Sequence, residues 1–438
     1  MIQHGKNKHF EAVLSFDWAD EKHDFNLWDA EHGTMETGVI QHSPEVLNKW
    51  LRKLRDRYKG QAVAVGLEQS KGSLAYLLME HDWLTIYFVH PATVAAMRDA
   101  WKPSGAKDDP MDAELIMNIV RDSNHKLSAW KPDSDDTRRL KLLCENRRGL
   151  VDLRVKLTNE LRSCLKTYYP LACSVAGDKL NEPLALNFIT KWPTLGKLKR
   201  SRESTIRNFY TRGNSRSTEA INKRIEKIKQ ADPITTDDVL IDSYSMLALS
   251  LVAQLNALRE SIKEHDRKIL NIYDAHSDVE IISSFPGTGK VFGPRLIAAL
   301  GTDRDRFNSA QEVANYSGIA PVTERSGKSE WVHRRWRCSN FIRQSFHEWA
   351  NETTKQSLWA RAFYIQARER GMGHHQAVRA LAFKWIRILY VCWKNNRPYD
   401  EMHYLIMLKK RGSNLIKIIA EHPDSANLNS SVANQFIS

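Results

Sequence analysis

The amino-acid sequence predicts an α/β N-terminal domain, a helical coiled-coil middle and a mostly helical C-terminal domain. Three observations carry this. Short β-type runs alternate with amphipathic helical stretches only in about the first 125 residues; from Thr137 the pattern changes to long helix; and apolar residues keep a sustained a/d spacing from Ile241 to Ile272. A chain of 438 residues has room for two to four domains and needs no metal or disulfide staple to build a core. Its 42% hydrophobic and 27% charged residues exclude the disordered class. The net charge of +13 favours a polyanionic partner, with nucleic acid the foremost class. The opening MIQHGKNKHF has no apolar signal region, and no uninterrupted run of about eighteen apolar residues occurs, so no membrane segment and a cytoplasmic location are expected. Cys144, Cys164, Cys173, Cys338 and Cys392 lack zinc or disulfide spacing and are expected to be reduced.

In chain order, residues 12–18 (AVLSFDW), 25–30 (FNLWDA) and 34–40 (TMETGVI) read as three strands of an antiparallel meander. Ser43 caps a helix that has Pro44 at its first position. QAVAVGLE is an apolar strand ending at Glu68, LAYLLMEH a helix, LTIYFVH a fifth strand and PATVAAMRDAW another helix. The order βββαβαβα is that of a ribonuclease H-like (RuvC-like) domain. From Thr137 to Tyr169 runs one long helix with nine basic residues against three acidic ones, stopped by Pro170. A second basic helical stretch spans 191–230. Ile241, Tyr244, Ala248, Leu251, Leu255, Leu258, Ile262, His265, Ile269 and Ile272 then define a coiled-coil seam. It can close against residues 140–165 of the same chain or against a second chain, the latter being the expectation; His265 on the seam is read as a bonded interface residue. Four segments result: 1–130, 131–277, 278–405 and a polar tail, 406–438, whose last 25 residues are expected to fray.

Acidic residues stand where this topology would gather them. Asp17 ends the first strand and Glu68 the fourth, neighbours in such a sheet, while KDDPMDAELI supplies Asp109 and Asp112 on one helical face. Singly, each acid can equally be a cap or a solvated side chain, and Asp20, Asp24 and Asp108 are rivals. Four carboxylates without basic partners repel one another unless divalent cations offset the cost. Oxygen donors suit magnesium or manganese, and a pair of such ions suits phosphodiester chemistry.

Further on, the PGTG turn is not a nucleotide-binding loop, since Val291 stands where a hydroxyl is required. The amides of Gly287 and Gly289 are expected to contact a phosphodiester backbone. Arg325, Lys328, Arg334, Arg335 and Arg337 surround Trp331 and Trp336, a mixture suited to nucleic acid. Ser326, in a Ser-Gly turn within that cluster, is placed to attack phosphorus, although most such pairs are plain turns; Ser329 is its rival.

DWADEKHD, the strand ending in Glu68, KDDPMDAELI, FPGTGK, NYSGIAPVTERSGKS and VRALAFKWIRILYVCW, in this order, resemble the DEDD-type insertion-sequence transposases, also described as bridge-RNA-guided serine recombinases. The resemblance runs from about residue 10 to 405. It implies a RuvC-like domain, a coiled coil and a C-terminal transposase domain. Onto the family's motifs fall Asp17, Glu68, Lys107, Asp109, Asp112, Ala113 and Ser326. The resemblance further implies Mg2+ (or Mn2+) on the carboxylates, Ser326 as nucleophile, and Lys107 with the Arg325–Arg337 cluster on nucleic acid. The implied partners are donor and target DNA, a noncoding guide RNA and further copies of the chain, as a dimer assembling to a tetramer. The alternative is a metal-dependent nuclease of branched DNA that uses the same carboxylates and forms no covalent intermediate.

Overall fold

The computed structural model describes residues 9–68, 72–101, 109–215, 217–327, 329–336 and 338–422, with backbone only at 109 and 110. The chain divides into two compact units, Met1–Pro132 and Asp133–Ser438.

The first unit is a mixed α/β domain. Its strands are β1 (Ala12–Asp17), β2 (Lys22–Asp29), β3 (Met35–Gln41), β4 (Val63–Leu67) and β5 (Leu84–Phe88), with helices α1 (Pro44–Arg57), α2 (Ser73–Leu78), α3 (Pro91–Trp101) and α4 (Asp109–Ser123). The sheet order is β3-β2-β1-β4-β5. β1 to β3 form the antiparallel meander and β4 and β5 lie parallel to β1, an arrangement consistent with the ribonuclease H-like class. Every residue of β4 is buried, as a central strand covered on both faces must be. β2 begins three positions before its expected start because the polar Lys22-His23-Asp24 continues the ladder opposite Gln41, Ile40 and Val39. Ser43 caps α1 through the amide of Val46.

Helix α4 is seated by a small-residue pair. Ser15 of β1 lies in register with Gly66 of β4. The Ser15 hydroxyl donates to the carbonyl of Ala113 at 2.6 Å, and a Cβ on Gly66 would stand 2.6 Å from Ile116 Cγ2 and 2.9 Å from Val120 Cγ2. α4 therefore rests directly on the sheet at a spot that accepts no larger side chain.

A hydrogen-bonded chain braces the same domain. The amide of Ala19 donates to Nδ1 of His23 (3.3 Å), so the His23 proton sits on Nε2 and reaches Nδ1 of His42 (2.7 Å), whose Nε2 faces the Ser73 hydroxyl (2.9 Å). His23 is fully buried.

In the second unit, α5 (Asp135–Tyr168) pairs with the helix Asp238–Asp274. Arg147 meets Asp266 at 2.6 Å and Cys164 lies against the carbonyl of Tyr244, so the two run antiparallel. The seam residues Ala248, Leu251, Leu255, Ile262 and Ile269 are buried, and the seam expected between chains closes within this one. His265 is bonded to the carbonyl of Ser261 at 2.8 Å. By length and composition Asp238–Asp274 would pass as a membrane span; Ser and Asn interrupt its apolar run, which is why the sequence criterion passed over it. Short helices over 172–230 close a core around Phe188, Trp192 and Tyr210.

The C-terminal core is built on Trp349, Trp359, Trp385 and Trp393, all fully buried. Two features there depart from expectation. β6 (Pro321–Ser326) and β7 (Ser329–Arg334) form a hairpin where a helical region with an irregular stretch is expected. Residues Leu415–Glu421 are helical rather than frayed, because Leu415, Ile418 and Ile419 dock into the core. Residues 423–438 lie outside the described residues. The five cysteines are free.

Burial and the neighbouring His42 pull the His23 imidazole down to about 4. The unfolded chain takes up this proton first as pH falls. This contribution to stability is therefore complete above the ordinary value near 6.5, is lost between about 6.5 and 4, and is flat below. The protection factors of the β1 and β2 amides, exchange rates divided into the intrinsic rate at each pH, should fall between pH 7 and pH 5, and His23→Phe should flatten that dependence.

Candidate functional site

Strand pairing sets the positions of two of the acids. Phe16 and Leu67 are the last paired residues of β1 and β4, and the next residue on each is Asp17 and Glu68. Adjacent strands lie about 4.8 Å apart, so the two carboxyl groups leave the same end of the sheet side by side, both half-buried. α4 brings Asp112 over that end through its Ser15 and Gly66 contacts. Residues 109–112 are helical, as the three-residue step requires, and Asp112 is buried. The Asp109 side chain and Lys107 fall outside the described residues.

Among the described residues a cation, Arg98, stands by these acids, where carboxylates without basic partners are expected. Arg98 of α3 grips Asp112 in a fork, with Nε at 2.8 Å and Nη2 at 2.5 Å from Oδ1. That hydrogen bond holds the guanidinium above its ordinary value, and the charges of Asp112, Asp99 and Glu68 add to the effect. Arg98 is the residue that sequence reading missed. No motif marks it; only the packing of α3 on α4 brings it to the site. Among the described residues no group of three or more potential ligands is already closed around a metal position. The donor chemistry nevertheless fits a hard divalent ion: oxygen-only side chains, adjacent at a strand end, with Arg98 now neutralising the third.

In the second unit Ser326 is exposed at the end of β6, paired with Ser329 across the loop that begins at Gly327 (φ +57°), a conformation that favours glycine. Cross-strand partners share a face, so Ser326 and Ser329 lie on one side with Glu324 and Trp331, whereas Arg325 pairs with Glu330 on the other at 3.0 Å. Arg335 donates to Asn315 at 3.3 Å, and the Arg334 guanidinium lies 4.1 Å from the Trp336 ring. Lys328 and Arg337 lie outside the described residues. The PGTG turn behaves differently from its expected role. The Gly287 amide donates to Gln356 Oε1 at 2.9 Å and the Pro286 carbonyl accepts from Trp349, so this turn ties the core together and the Gly287 amide is already engaged.

A mixed sheet with paired strand-end acids, joined in one chain to a basic hairpin bearing an exposed serine, is the equipment of a DNA-processing enzyme, and comparison with known proteins specifies which class. A DEDD-type model described as transposase matches residues 14–170, and a second, described as Transposase IS116/IS110/IS902 family, matches 279–365. The chain belongs to this IS110-type family of DEDD insertion-sequence transposases. It is 29% identical over 398 residues to the mini-circle putative transposase for IS117 of Streptomyces coelicolor, covering 89% of this chain and 95% of that one. It is 28% identical over 376 residues to an IS116 protein of Streptomyces clavuligerus, covering 85% and 92%. It is 25% identical over 156 residues to a pilin gene-inverting protein of Moraxella bovis, covering 32% and 46%. Transposase and recombinase activity on DNA follows from the family.

Because Asp112 is buried and Arg98 largely so, Arg98→Gln leaves an uncompensated carboxylate and should cost about 3 kcal/mol. The double variant Arg98→Met/Asp112→Leu should recover most of that, as read by chemical denaturation of the full chain.

Proposed function

We propose that this transposase exchanges DNA strands through a covalent phosphoserine, with Ser326 as nucleophile and Asp17, Glu68, Asp109 and Asp112 as the acidic set. The observation that carries the reading is an exposed hydroxyl on a glycine turn in a chain of a transposase family that also carries adjacent strand-end acids. Magnesium, or manganese, held by those carboxylates would supply Lewis acidity toward the scissile phosphate. Arg98 keeps Asp112 in place and has to share or yield that carboxylate when an ion is held.

The Ser326 Oγ bonds to phosphorus as the bond to the departing deoxyribose oxygen breaks. The hydroxyl proton leaves to water, and the departing oxygen takes one up. Reversal with a different strand completes exchange, and no external energy source is needed because the phosphodiester is conserved in the phosphoserine. Arg325, Lys328, Arg334, Arg335, Arg337 and Lys107 hold nucleic acid on this reading, and the charge developing on phosphorus favours cations beside Ser326. A noncoding RNA of the element guides the choice of donor and target DNA.

The active form is a homo-oligomer, a dimer that assembles to a tetramer. Val239 and Met246, one face of the helix Asp238–Asp274, are 74% and 70% exposed, and a second copy of the chain would cover them.

Ser326→Ala should abolish the protein–DNA adduct on a nicked suicide substrate while leaving DNA binding within about twofold; an adduct that persists refutes the serine assignment. Asp17→Asn should reduce strand cleavage by at least about a hundredfold, the scale of removing a group that stabilises charge at a transition state. Met246→Lys should shift the mass of the free protein toward monomer in light scattering.

A further inference from the structure

The hairpin carries a ring system that the cleavage chemistry does not use. Trp331 and His333 project from the same face of β7 as Ser329, which is paired with Ser326. Their rings stack at 4.3 Å between centroids and 30°, and Trp336 continues the row beyond His333 at 6.4 Å and 28°. The His333 ring is clamped in plane, its two nitrogens facing the Arg334 carbonyl at 2.8 Å and the Glu324 carboxylate at 3.0 Å. Trp331 and Trp336 are 57% and 58% exposed, among the largest apolar groups this unit leaves to solvent.

Cations lie beside the row. The Arg334 guanidinium covers Trp336 at 4.1 Å. Burial, together with the positive charges of Arg334 and Arg343, holds the Arg379 guanidinium below its ordinary value. Charges that repel in the free protein are relieved by an anion. Flat exposed rings beside clustered arginines suit a strand whose bases are unpaired, since duplex bases present no open face for stacking.

We propose that Trp331, His333 and Trp336 form a stacking platform for unpaired DNA bases next to the phosphate offered to Ser326, with Arg334, Arg343 and Arg379 taking the strand's phosphates. The platform deepens the function proposed above, because it places locally melted DNA rather than intact duplex at the serine. Binding is separable from chemistry, so the test is made in the Ser326→Ala background, where loss of the phosphoserine reading leaves it untouched.

Full-length protein is titrated into labelled DNA of about fifteen nucleotides as a single strand, as the same strand with abasic sites, as its duplex and as the RNA counterpart. Trp331→Ala/Trp336→Ala should weaken single-strand binding by at least about thirtyfold, with Trp331→Phe/Trp336→Phe near the parent. Duplex affinity should change less than about twofold, and abasic DNA should bind parent and variant alike. In the parent, 2-aminopurine in the single strand should lose fluorescence on binding. Equal losses for duplex and abasic DNA, unquenched 2-aminopurine, tighter binding of the RNA counterpart, or a drop in oligomer mass in the alanine variant would each overturn the platform.

Discussion

The register between two parallel strands is the constraint on which the N-terminal site depends. Ser15 opposite Gly66 makes a shallow patch on one face of the sheet, and α4 fills it with Ile116, Val120 and the Ala113 carbonyl. Side chains alternate along a strand, so two residues onward Asp17 and Glu68 point to that same face. A slip of one residue in β4 would turn Glu68 away and put Leu67 or Val65 beneath α4, where Ile116 and Val120 leave no room. Packing of the apolar face and assembly of the acids are thus one event. The smallness of residues 15 and 66 is a requirement of the site as much as of the core.

Once the acids are assembled, their repulsion has to be met within the domain, and Arg98 meets it. A forked guanidinium bound to a buried aspartate is geometrically exacting, so the pair also fixes α3 against the first turn of α4. The same residue feels Glu68, and hence the state of one acid is coupled electrostatically to the others. Such an arrangement offsets the buried charge of Asp112, while Asp17 and Glu68 at the strand ends are only half-buried.

Much of this was legible in the sequence because it is local. Short apolar runs set off by polar turns mark the five strands, Ser43-Pro44 the start of α1, and the three-residue step from Asp109 to Asp112 a helical segment. What was not legible depends on tertiary choice. The periodicity of Asp238–Asp274 is the same whether its partner is α5 or a second chain, and only the antiparallel match of Arg147 with Asp266 and Cys164 with Tyr244 decides it. The hairpin at 321–334 was hidden because its strands are exposed on both faces, so the apolar alternation that marks a half-buried strand is weak there. Its Ser-Gly signal between VTER and SEWVHR marks a turn without marking the strands that the turn joins.

Charge shows the same separation between count and consequence. Along α5 much of the basic excess is consumed: Arg138 pairs with Asp135, Arg147 with Asp266, and Arg148 with Asp152 and Glu348. In the 191–230 stretch Arg207 and Lys229 share Glu203, and Lys223 meets Glu219. These exposed pairs contribute little to stability, but they leave less net field on those surfaces than the composition suggests. Around Arg379 the relation is reversed, for the charges that bear on it are the arginines 334 and 343. A surplus of +13 spread evenly would only raise nonspecific affinity. Concentrated near the hairpin that carries Ser326, where burial and then the charges of Arg334 and Arg343 lower the Arg379 guanidinium, part of it would bear on the phosphate strand of the platform proposed above.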